Sequence, residues 1–414
     1  MDSKGSSRKF RYWPLYSLAF IKSFYWAIYS IALPNILVYF QDISSIFIGI
    51  INSAFSLAYV LGPFLGLKLS KHLNTKHAIF ISILTSNVML LLQVLFFTPS
   101  VLLFACILDG LGTGLFWPNL QVELSNWQKT FRTESSSTYV KNYSLSWSGG
   151  LLFGFVAGLL LSFWARNDFL PLNISFLISL LMLGIIAYFE SGTEGIYSSK
   201  GVLYVNTSIH PTPSILPEDS LSLDSDDVSS SLGKAALIPF SLVLLSGIYF
   251  AHAKTVYNFT LPFIFESENI ASYFVYLIIL IQQTLQVIFM NWSANFPPFW
   301  KVRATQITIA INLVLTLWVF IFQAIWVFLL AAFFSGVFYG VIYTVNTQIM
   351  LEKGGNTTDA KYSSYYEVAI GIGFGITPII AGLLMDINFF TIFLVHCVLS
   401  IPFLWRWLKP FGKN

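Results

Sequence analysis

Charged residues are scarce in this chain of 414 residues, and their scarcity excludes most soluble folds. Only 10% of the residues are Asp, Glu, Lys or Arg, whereas 56% are hydrophobic, and the mean hydropathy is +0.72. A soluble protein of this length needs a polar surface that such a composition does not supply. Cysteine is rare as well: Cys106 and Cys397 both lie in apolar stretches, which argues against a disulfide framework.

The sequence lacks the residue patterns that are typical of metal sites, nucleotide-binding loops and channel filters. Of the five histidines only His72 and His77 are close in sequence, and they lie in a basic loop without the acids or thiols of a metal site. The sequence has no Gly-x-x-x-x-Gly-Lys-Ser/Thr nucleotide loop and no repeated filter loop of a channel. We therefore predict that the protein is not an enzyme and carries no metal or cofactor.

Long apolar stretches are what the chain has in abundance. A bilayer core needs roughly 20 mainly apolar helical residues, and twelve stretches have that length: 14–40, 46–69, 78–97, 101–123, 141–164, 170–189, 236–264, 270–290, 304–322, 325–350, 364–385 and 388–405. Strands of a membrane barrel would alternate apolar and polar residues, whereas the tract 180–183 is apolar throughout. The predicted fold class is an all-α polytopic membrane protein with twelve transmembrane helices.

The basic residues show a strong asymmetry between the two sides of the membrane. With these spans, 19 of the 22 Lys and Arg residues fall on the side of the termini, and only Arg166 falls on the other side. Because Lys and Arg are retained in cytoplasmic loops, both termini are predicted to face the cytoplasm, in the cell membrane. The net charge of +3 reflects this loop bias, so no nucleic-acid partner is expected.

One long polar segment divides the chain. Residues 190–234 contain three prolines, many serines and an acidic run, a composition that cannot support a packed core. We predict a six-helix bundle over 1–189, a disordered cytoplasmic linker over 190–234 and a second six-helix bundle over 235–414. The alternative for the linker is a regulatory or partner-binding segment.

The two halves are related in sequence. Three matches occur in order, at offsets of 228, 227 and 224 residues: Tyr29 and Pro34 with Tyr257 and Pro262, Asn119 and Gln121 with Asn346 and Gln348, and 157–160 with 381–384. Internal repeats of this kind are common in secondary transporters.

With these features the chain resembles the major facilitator superfamily over nearly its whole length. The loop between helices two and three keeps the glycine and the basic residues of the family pattern over 66–76, with Ser70 in the place of its aspartate. Helix four has glycines at 110, 112 and 114. Helix eleven has Pro378-x-x-Ala-Gly, which is similar to an antiporter motif that normally lies in helix five, where this chain has Gly154 in place of the proline. The resemblance implies alternating access, with helices one, four, seven and ten around a central cavity.

Charges inside the spans are the best pointers to a site, because each is costly in lipid and usually faces a cavity. There are four: Lys22, Asp109, Lys254 and Glu367. Tyr257 and Asn258 follow Lys254 at i+3 and i+4 and therefore share a helical face with it. Such a face suits a carboxylate or phosphate. The alternative is that Lys254 pairs with a structural carboxylate.

Helix one offers a matching face. Lys22 is followed by Trp26 and Tyr29 at i+4 and i+7. Aromatic rings of this kind hold the apolar part of a ligand. Further polar lining is expected from Asn119 on helix four and from Tyr343 and Asn346 on helix ten.

Two acids are candidates for carrying coupling protons, because burial favours the protonated form of a carboxyl. They are Asp109 in helix four and Glu367 in helix eleven. The alternative for Asp109 is an ion pair with Lys22 or Lys254, and the alternative for Glu367 is a hydrated residue near its helix end.

These residues predict a secondary transporter that moves a small solute across the bilayer by alternating access, coupled to protons or another ion. An anionic or amphipathic metabolite is the substrate hypothesis, and symport and antiport both stay open. The alternative is a transporter-like membrane receptor or regulatory protein without transport activity.

Overall fold

The protein is built from membrane-length helices. A computed structural model describes residues 13–40, 43–69, 74–130, 136–189, 238–354 and 359–409, so the predicted linker lies outside the described residues. All regular structure in these ranges is helical: α1 (Trp13–Phe40), α2 (Ser45–Leu69), α3 (Thr75–Leu95), α4 (Pro99–Thr130), α5 (Ser136–Ala165), α6 (Phe169–Ile186), α7 (Phe240–Ser267), α8 (Tyr273–Ala294), α9 (Pro298–Phe322), α10 (Ile325–Gly354), α11 (Asp359–Met385) and α12 (Thr391–Leu408).

Each of the twelve predicted spans corresponds to one helix, which confirms the predicted fold class. In the described part of the chain, eleven helices are long and apolar enough to cross a membrane, and the twelfth, α7, has 28 residues, His252 and Lys254 among them. The largest differences are at helix ends. For example, α11 begins at Asp359, five residues before the predicted start at 364. Backbone hydrogen bonds continue a helix past its apolar stretch, so Glu367 lies more than two turns inside α11.

The two sets of six helices pack in the same way. In the first set α1 packs against α5 and α6, α2 against α4, and α3 against α4 and α6. In the second set α7 packs against α11 and α12, α8 against α10, and α9 against α10 and α12. Each of these pairs of the first set recurs six helices later, as is common in internally repeated membrane folds, and the second set has a further close pair, α7 with α10. We call the end of the bundle at which α1 begins and α12 ends the terminal end, and the other the opposite end.

The two sets meet mainly along α2 with α11 and along α5 with α8. Glycine makes the first of these contacts close. A Cβ atom on Gly49 would lie 2.3 Å from the carbonyl oxygen of Pro378, and one on Gly382 would lie 2.6 Å from that of Ser45. Small residues let helix backbones approach in this way in a membrane.

Within the first set, glycine also sets the distance between α5 and α1. A Cβ atom on Gly154 would lie 2.3 Å from the carbonyl oxygen of Phe24 and 2.7 Å from the Cβ atom of Ala27. The glycines of α5 at 150 and 154 therefore serve packing inside one half, whereas Gly158 contacts Tyr276 of the other half.

We expect Gly154→Ala to lower the thermal midpoint of the purified protein, because overpacking of a tight contact costs about 1–3 kcal/mol. Gly184 is the matched control, since a Cβ atom there would have no neighbour within 4 Å. Gly184→Ala is expected to be neutral or to stabilise by about 0.5–1 kcal/mol. Thermal unfolding in detergent measures both. Equal losses in the two variants would contradict the packing explanation.

Candidate functional site

A cavity of about 400 Å³ lies between the two sets of helices. Its walls come from α1, α2, α4 and α5 on one side and from α7, α8, α10 and α11 on the other. None of the lining residues belongs to α3, α6, α9 or α12. A volume of this size fits a small-molecule ligand. The cavity is therefore broader than the four helices that the family resemblance implied.

Aromatic rings form much of the wall. Trp26 of α1 stacks on Phe55 of α2 with ring centroids 4.5 Å apart. Trp147 of α5 meets Tyr343 of α10 edge to face at 5.8 Å, so one aromatic pair joins the two halves across the cavity. Rings paired in this manner give a rigid apolar surface against which a planar or apolar group can pack.

Lys254 is at the middle of α7, and its side chain is half-buried in the cavity wall. Its Nζ atom donates hydrogen bonds to the Oε1 atoms of Gln283 at 3.0 Å and Gln286 at 2.9 Å, both on α8. The rings of Phe250 and Tyr339 lie 6.0 and 5.8 Å from the ammonium. Neutral groups thus orient this cation, in contrast to the structural carboxylate that was the alternative.

Lys22 has a different environment, although it lines the same cavity. The ammonium is almost enclosed, with 2% of the residue exposed, and it donates to Ser86 at 3.0 Å, to Thr113 at 2.9 Å and to Tyr25. The Ser86 and Thr113 hydroxyls in turn donate to Oδ1 of Asp109, at 2.6 and 3.4 Å. Two hydroxyls therefore connect the cation of α1 to the carboxylate of α4.

Glu367 joins the two halves towards the terminal end of the cavity. Its Oε2 atom accepts a hydrogen bond from the Tyr59 hydroxyl at 2.8 Å, and its Oε1 atom accepts one from the Gln121 amide at 3.4 Å. The donors belong to α2 and α4, and the carboxylate belongs to α11. The half-buried Glu367 lines the cavity more than two turns from the start of α11, so it is not at the helix end that the alternative assumed.

The structure divides the predicted site residues into two groups. Seven of them line the cavity: Lys22, Trp26, Tyr29, Lys254, Asn258, Tyr343 and Glu367. The other four lie behind its wall, and each has a partner there. Tyr257 contacts the Thr316 hydroxyl of α9 at 2.8 Å, Asn119 donates to the carbonyl of Leu115 at 2.7 Å, Asn346 donates to Tyr366 at 3.3 Å, and Asp109 accepts as described above.

Several lining residues were missed because sequence reasoning followed charge. Gln283 and Gln286 hold Lys254, and Trp117, Trp147 and Tyr143 complete the wall. The two glutamines had a signal of their own: amides three residues apart in an apolar span share a face and need polar partners.

The opposite end of the cavity is closed by hydrogen bonds between the halves. The Asn35 amide donates to the carbonyl of Ser272 at 3.2 Å, and the Tyr39 hydroxyl donates to that of Ile270 at 2.9 Å. Ser45 donates to the carboxylate of Asp386 at 2.6 Å. These contacts join α1 to the loop between α7 and α8, and α2 to the residue that follows α11.

Asp168 is a buried carboxylate at this end, in the loop between α5 and α6. Its Oδ1 atom accepts a hydrogen bond from the Ser162 hydroxyl at 2.9 Å. Burial raises the pKa of the Asp168 carboxyl, and the polar side chains around it, including Ser272, Ser162 and Asn35, oppose that rise. The folded protein therefore holds a proton here more tightly than the unfolded chain does.

We expect Asp168→Asn to remove a pH-dependent loss of stability. A carboxyl with a raised pKa supports the fold below its ordinary pKa, and that support is lost as pH rises through the raised value. The thermal midpoint of the variant should therefore gain on that of the original protein as pH rises above about 4, the ordinary pKa of an aspartate. Glu268→Gln, at an exposed carboxylate just after α7 at the same end, is the control. A difference that stays constant with pH would contradict this assignment.

Metal binding has no support in the part of the chain that the structure describes, where no group of three or more His, Cys, Asp or Glu residues could hold an ion. The two buried histidines of the second half serve packing instead. His252 pairs with the Thr377 hydroxyl at 2.8 Å, and His396 pairs with the Asn312 amide at 3.0 Å. Neither histidine lines the cavity.

Solved transporters share this architecture. The nucleoside transporter NupG matches with a TM-score of 0.66 at 14% identity, over 97% of this chain and 99% of that one. The human organic anion transporter MFSD10 (TETRAN) matches with 0.63 at 13%, over 95% and 98%. A bacterial homologue of the human lysosomal transporter Spinster, inward-facing and unoccupied, matches with 0.63 at 12%, over 95% and 94%.

Comparison of the sequence with known families and curated proteins identified no related protein. No protein-family model matches the chain, and no curated protein sequence matches it. At 12–14% identity the structural matches establish the fold. The chain is an integral membrane protein with the fold of major facilitator transporters, as the sequence resemblance predicted.

Proposed function

We propose that the protein is a secondary transporter that moves a small solute by alternating access, with coupling to protons. The observation that carries this proposal is the cavity itself: both halves contribute to it, and it contains ionisable side chains at membrane depth. Such residues in a membrane protein mark substrate and ion pathways. The solved neighbours, named as transporters of nucleosides or organic anions, support it through the shared fold.

The contacts at the two ends of the cavity are the gates in this proposal. Release at the terminal end requires Glu367 to leave Tyr59 and Gln121. Release at the opposite end requires Asn35 and Tyr39 to leave the loop between α7 and α8. Protonation of Glu367 removes the charge that strengthens its hydrogen bonds, and in this way it favours opening of the terminal end.

The proposal keeps the two helix bundles and the linker that the sequence predicts. Two bundles over 1–189 and 235–414 rock against each other, with 190–234 as the linker and both termini in the cytoplasm. Asp109 remains a second candidate for the coupling proton. Direct contact of the solute is proposed for the predicted residues that line the cavity, and Tyr257, Asn119 and Asn346 act in this scheme by supporting its wall.

Flux in proteoliposomes tests the proposal. Full-length protein is reconstituted, labelled metabolites are pooled by charge, and uptake is measured with and without an imposed pH gradient. We expect at least one pool to enter faster than in protein-free vesicles and to respond to the gradient. Folded protein that gives no flux from any pool would favour the receptor alternative, and gradient-independent flux would remove the proton from the scheme.

A further inference from the structure

The two cavity lysines differ in how their charge is balanced. Lys22 is linked through the Ser86 and Thr113 hydroxyls to the carboxylate of Asp109. Lys254 has two amide oxygens as its hydrogen-bond acceptors, and no carboxylate among the described residues lies within ion-pair distance of its ammonium. An ammonium has three donors, so Lys254 retains one N–H for a further acceptor. The two amide oxygens orient the ammonium group, but within the described residues no negative charge compensates it.

Gln283 supplies a second free donor beside this ammonium. Its Oε1 atom is taken by Lys254, which turns the amide so that Nε2 points elsewhere. The Nε2 atom is buried and has no hydrogen-bond partner, and the residue is 2% exposed while contributing to the cavity wall. A buried donor without a partner costs free energy. Buried polar groups of this kind normally have a hydrogen-bond partner, and Gln283 belongs to the residues that line the cavity.

We propose that Lys254 and Gln283 form an anion subsite, which binds one singly charged carboxylate-type group of the solute. One oxygen accepts from the Lys254 ammonium and the other from the Gln283 amide, and Gln286 fixes the ammonium between them. This inference rests on the proposed function, because it names the substrate class of the same cavity. Gln283 is the residue that determines specificity, since it presents a donor and adds no negative charge.

The remainder of the cavity indicates the rest of the solute. The rings of Trp26, Phe55 and Trp147 line the same cavity as Lys254, and the cavity measures about 400 Å³. These surfaces bind an apolar or aromatic body. The substrate class is thus a small amphipathic monoanion with one carboxylate-type group.

Binding to full-length protein in detergent tests the subsite without requiring flux. The probes are pairs of equal shape that differ in charge: phenylacetate with phenylacetamide, benzoate with benzamide, and hexanoate with hexanamide. Three tryptophans line the cavity, Trp26, Trp117 and Trp147, so fluorescence titration reports occupancy. In each pair that binds, we expect the carboxylate to bind about tenfold more tightly than the amide.

Gln283→Glu is the decisive variant, because it keeps the shape of the side chain and places a carboxylate 3.0 Å from the Lys254 ammonium in the current amide position. It should remove the preference for the carboxylate over the matched amide. Asn291→Asp is the matched control, since it adds the same charge at an exposed position of the same helix. That control should keep the preference of the original protein.

The subsite would be overturned if, across all pairs, the carboxylate and the amide bound equally well or neither of them bound. It would also be overturned if folded Gln283→Glu kept the full preference for the carboxylate. Failure of the transport proposal looks different. Suppose that the carboxylate is preferred, that Gln283→Glu removes this preference, and that no pool gives flux in proteoliposomes. The subsite would then be supported, and the transport proposal would be rejected. Flux without carboxylate preference would retain transport and reject the subsite.

Discussion

Asp109→Asn, with Lys22 left in place, is expected to destabilise the protein by about 3–5 kcal/mol. The Lys22 ammonium is enclosed, and the Ser86 and Thr113 hydroxyls link it to the carboxylate of Asp109. In the variant these hydroxyls remain, but the negative charge that compensates the ammonium is lost. Lys22→Met should cost a comparable amount, because it leaves the carboxylate of Asp109 buried without its cation. Thermal unfolding of the three proteins in detergent measures both losses.

The double variant Lys22→Met/Asp109→Asn separates a coupled pair from two independent residues. Since each partner compensates the other, the double variant should recover about 1–3 kcal/mol relative to the sum of the two losses. Strict additivity would show that the hydroxyl-bridged connection carries no coupling. A stable double variant that still binds solute would also show that Lys22 serves the fold more than the ligand.

Glu367→Gln is expected to reduce uphill, gradient-driven uptake at least about tenfold while leaving exchange of solute at equal pH intact. Glutamine can still accept the hydrogen bond from the Tyr59 hydroxyl, but it cannot take up a proton. Glu367 is the one carboxylate among the cavity-lining residues that the structure describes. Uptake and exchange in the same proteoliposome preparation separate coupling from transport.

The control for this variant is Glu268→Gln, the same change at an exposed residue just after α7. It should leave both uphill uptake and exchange unchanged. Persistence of gradient-driven uptake in Glu367→Gln would transfer the coupling role to Asp109. Loss of exchange together with uptake would instead show that Tyr59 and Glu367 hold the cavity in shape.

The number and order of the helices followed from hydropathy alone, because lipid requires long runs of apolar side chains and internally paired backbone. Helix ends did not follow as well. The end of a transmembrane helix depends on capping and on local contacts, which apolar length does not report. Glu367 shows the effect, since five further residues at the start of α11 move it away from the helix end.

The site was predicted from helical faces, and the limits of that method are visible on α7. At 100° per residue, Asn258 lies about 40° to one side of Lys254 and Tyr257 about 60° to the other. Thr255 and Phe259 also line the cavity, which places its wall on the side of Asn258. Spacing says that three residues share a face, but only packing against α9 decides that Tyr257 turns to Thr316.

Helix α4 shows the same limit more sharply. Its cavity face includes Cys106 and then Thr113, Trp117 and Gln121, of which the last three follow one another at intervals of four. Asn119 lies two positions from both Trp117 and Gln121, so it falls on the far side of the helix. A polar residue in a span therefore predicts a polar partner, and the cavity is only one of the partners available.

The balance of charge around the cavity has an electrical consequence. In the proposed cycle, with Lys22 and Lys254 as ammonium groups and Asp109 and Glu367 as carboxylates, the charges of these four side chains sum to zero when no solute is bound. In the proposed cycle, a bound monoanion together with a proton on Glu367 leaves the loaded carrier neutral as well. Moving one elementary charge through 100 mV involves about 2.3 kcal/mol. In the proposed cycle, neither the empty nor the solute-loaded protein moves a net charge when it reorients, so this energy does not enter. The gradients of solute and protons would then drive the cycle, and the membrane potential would not.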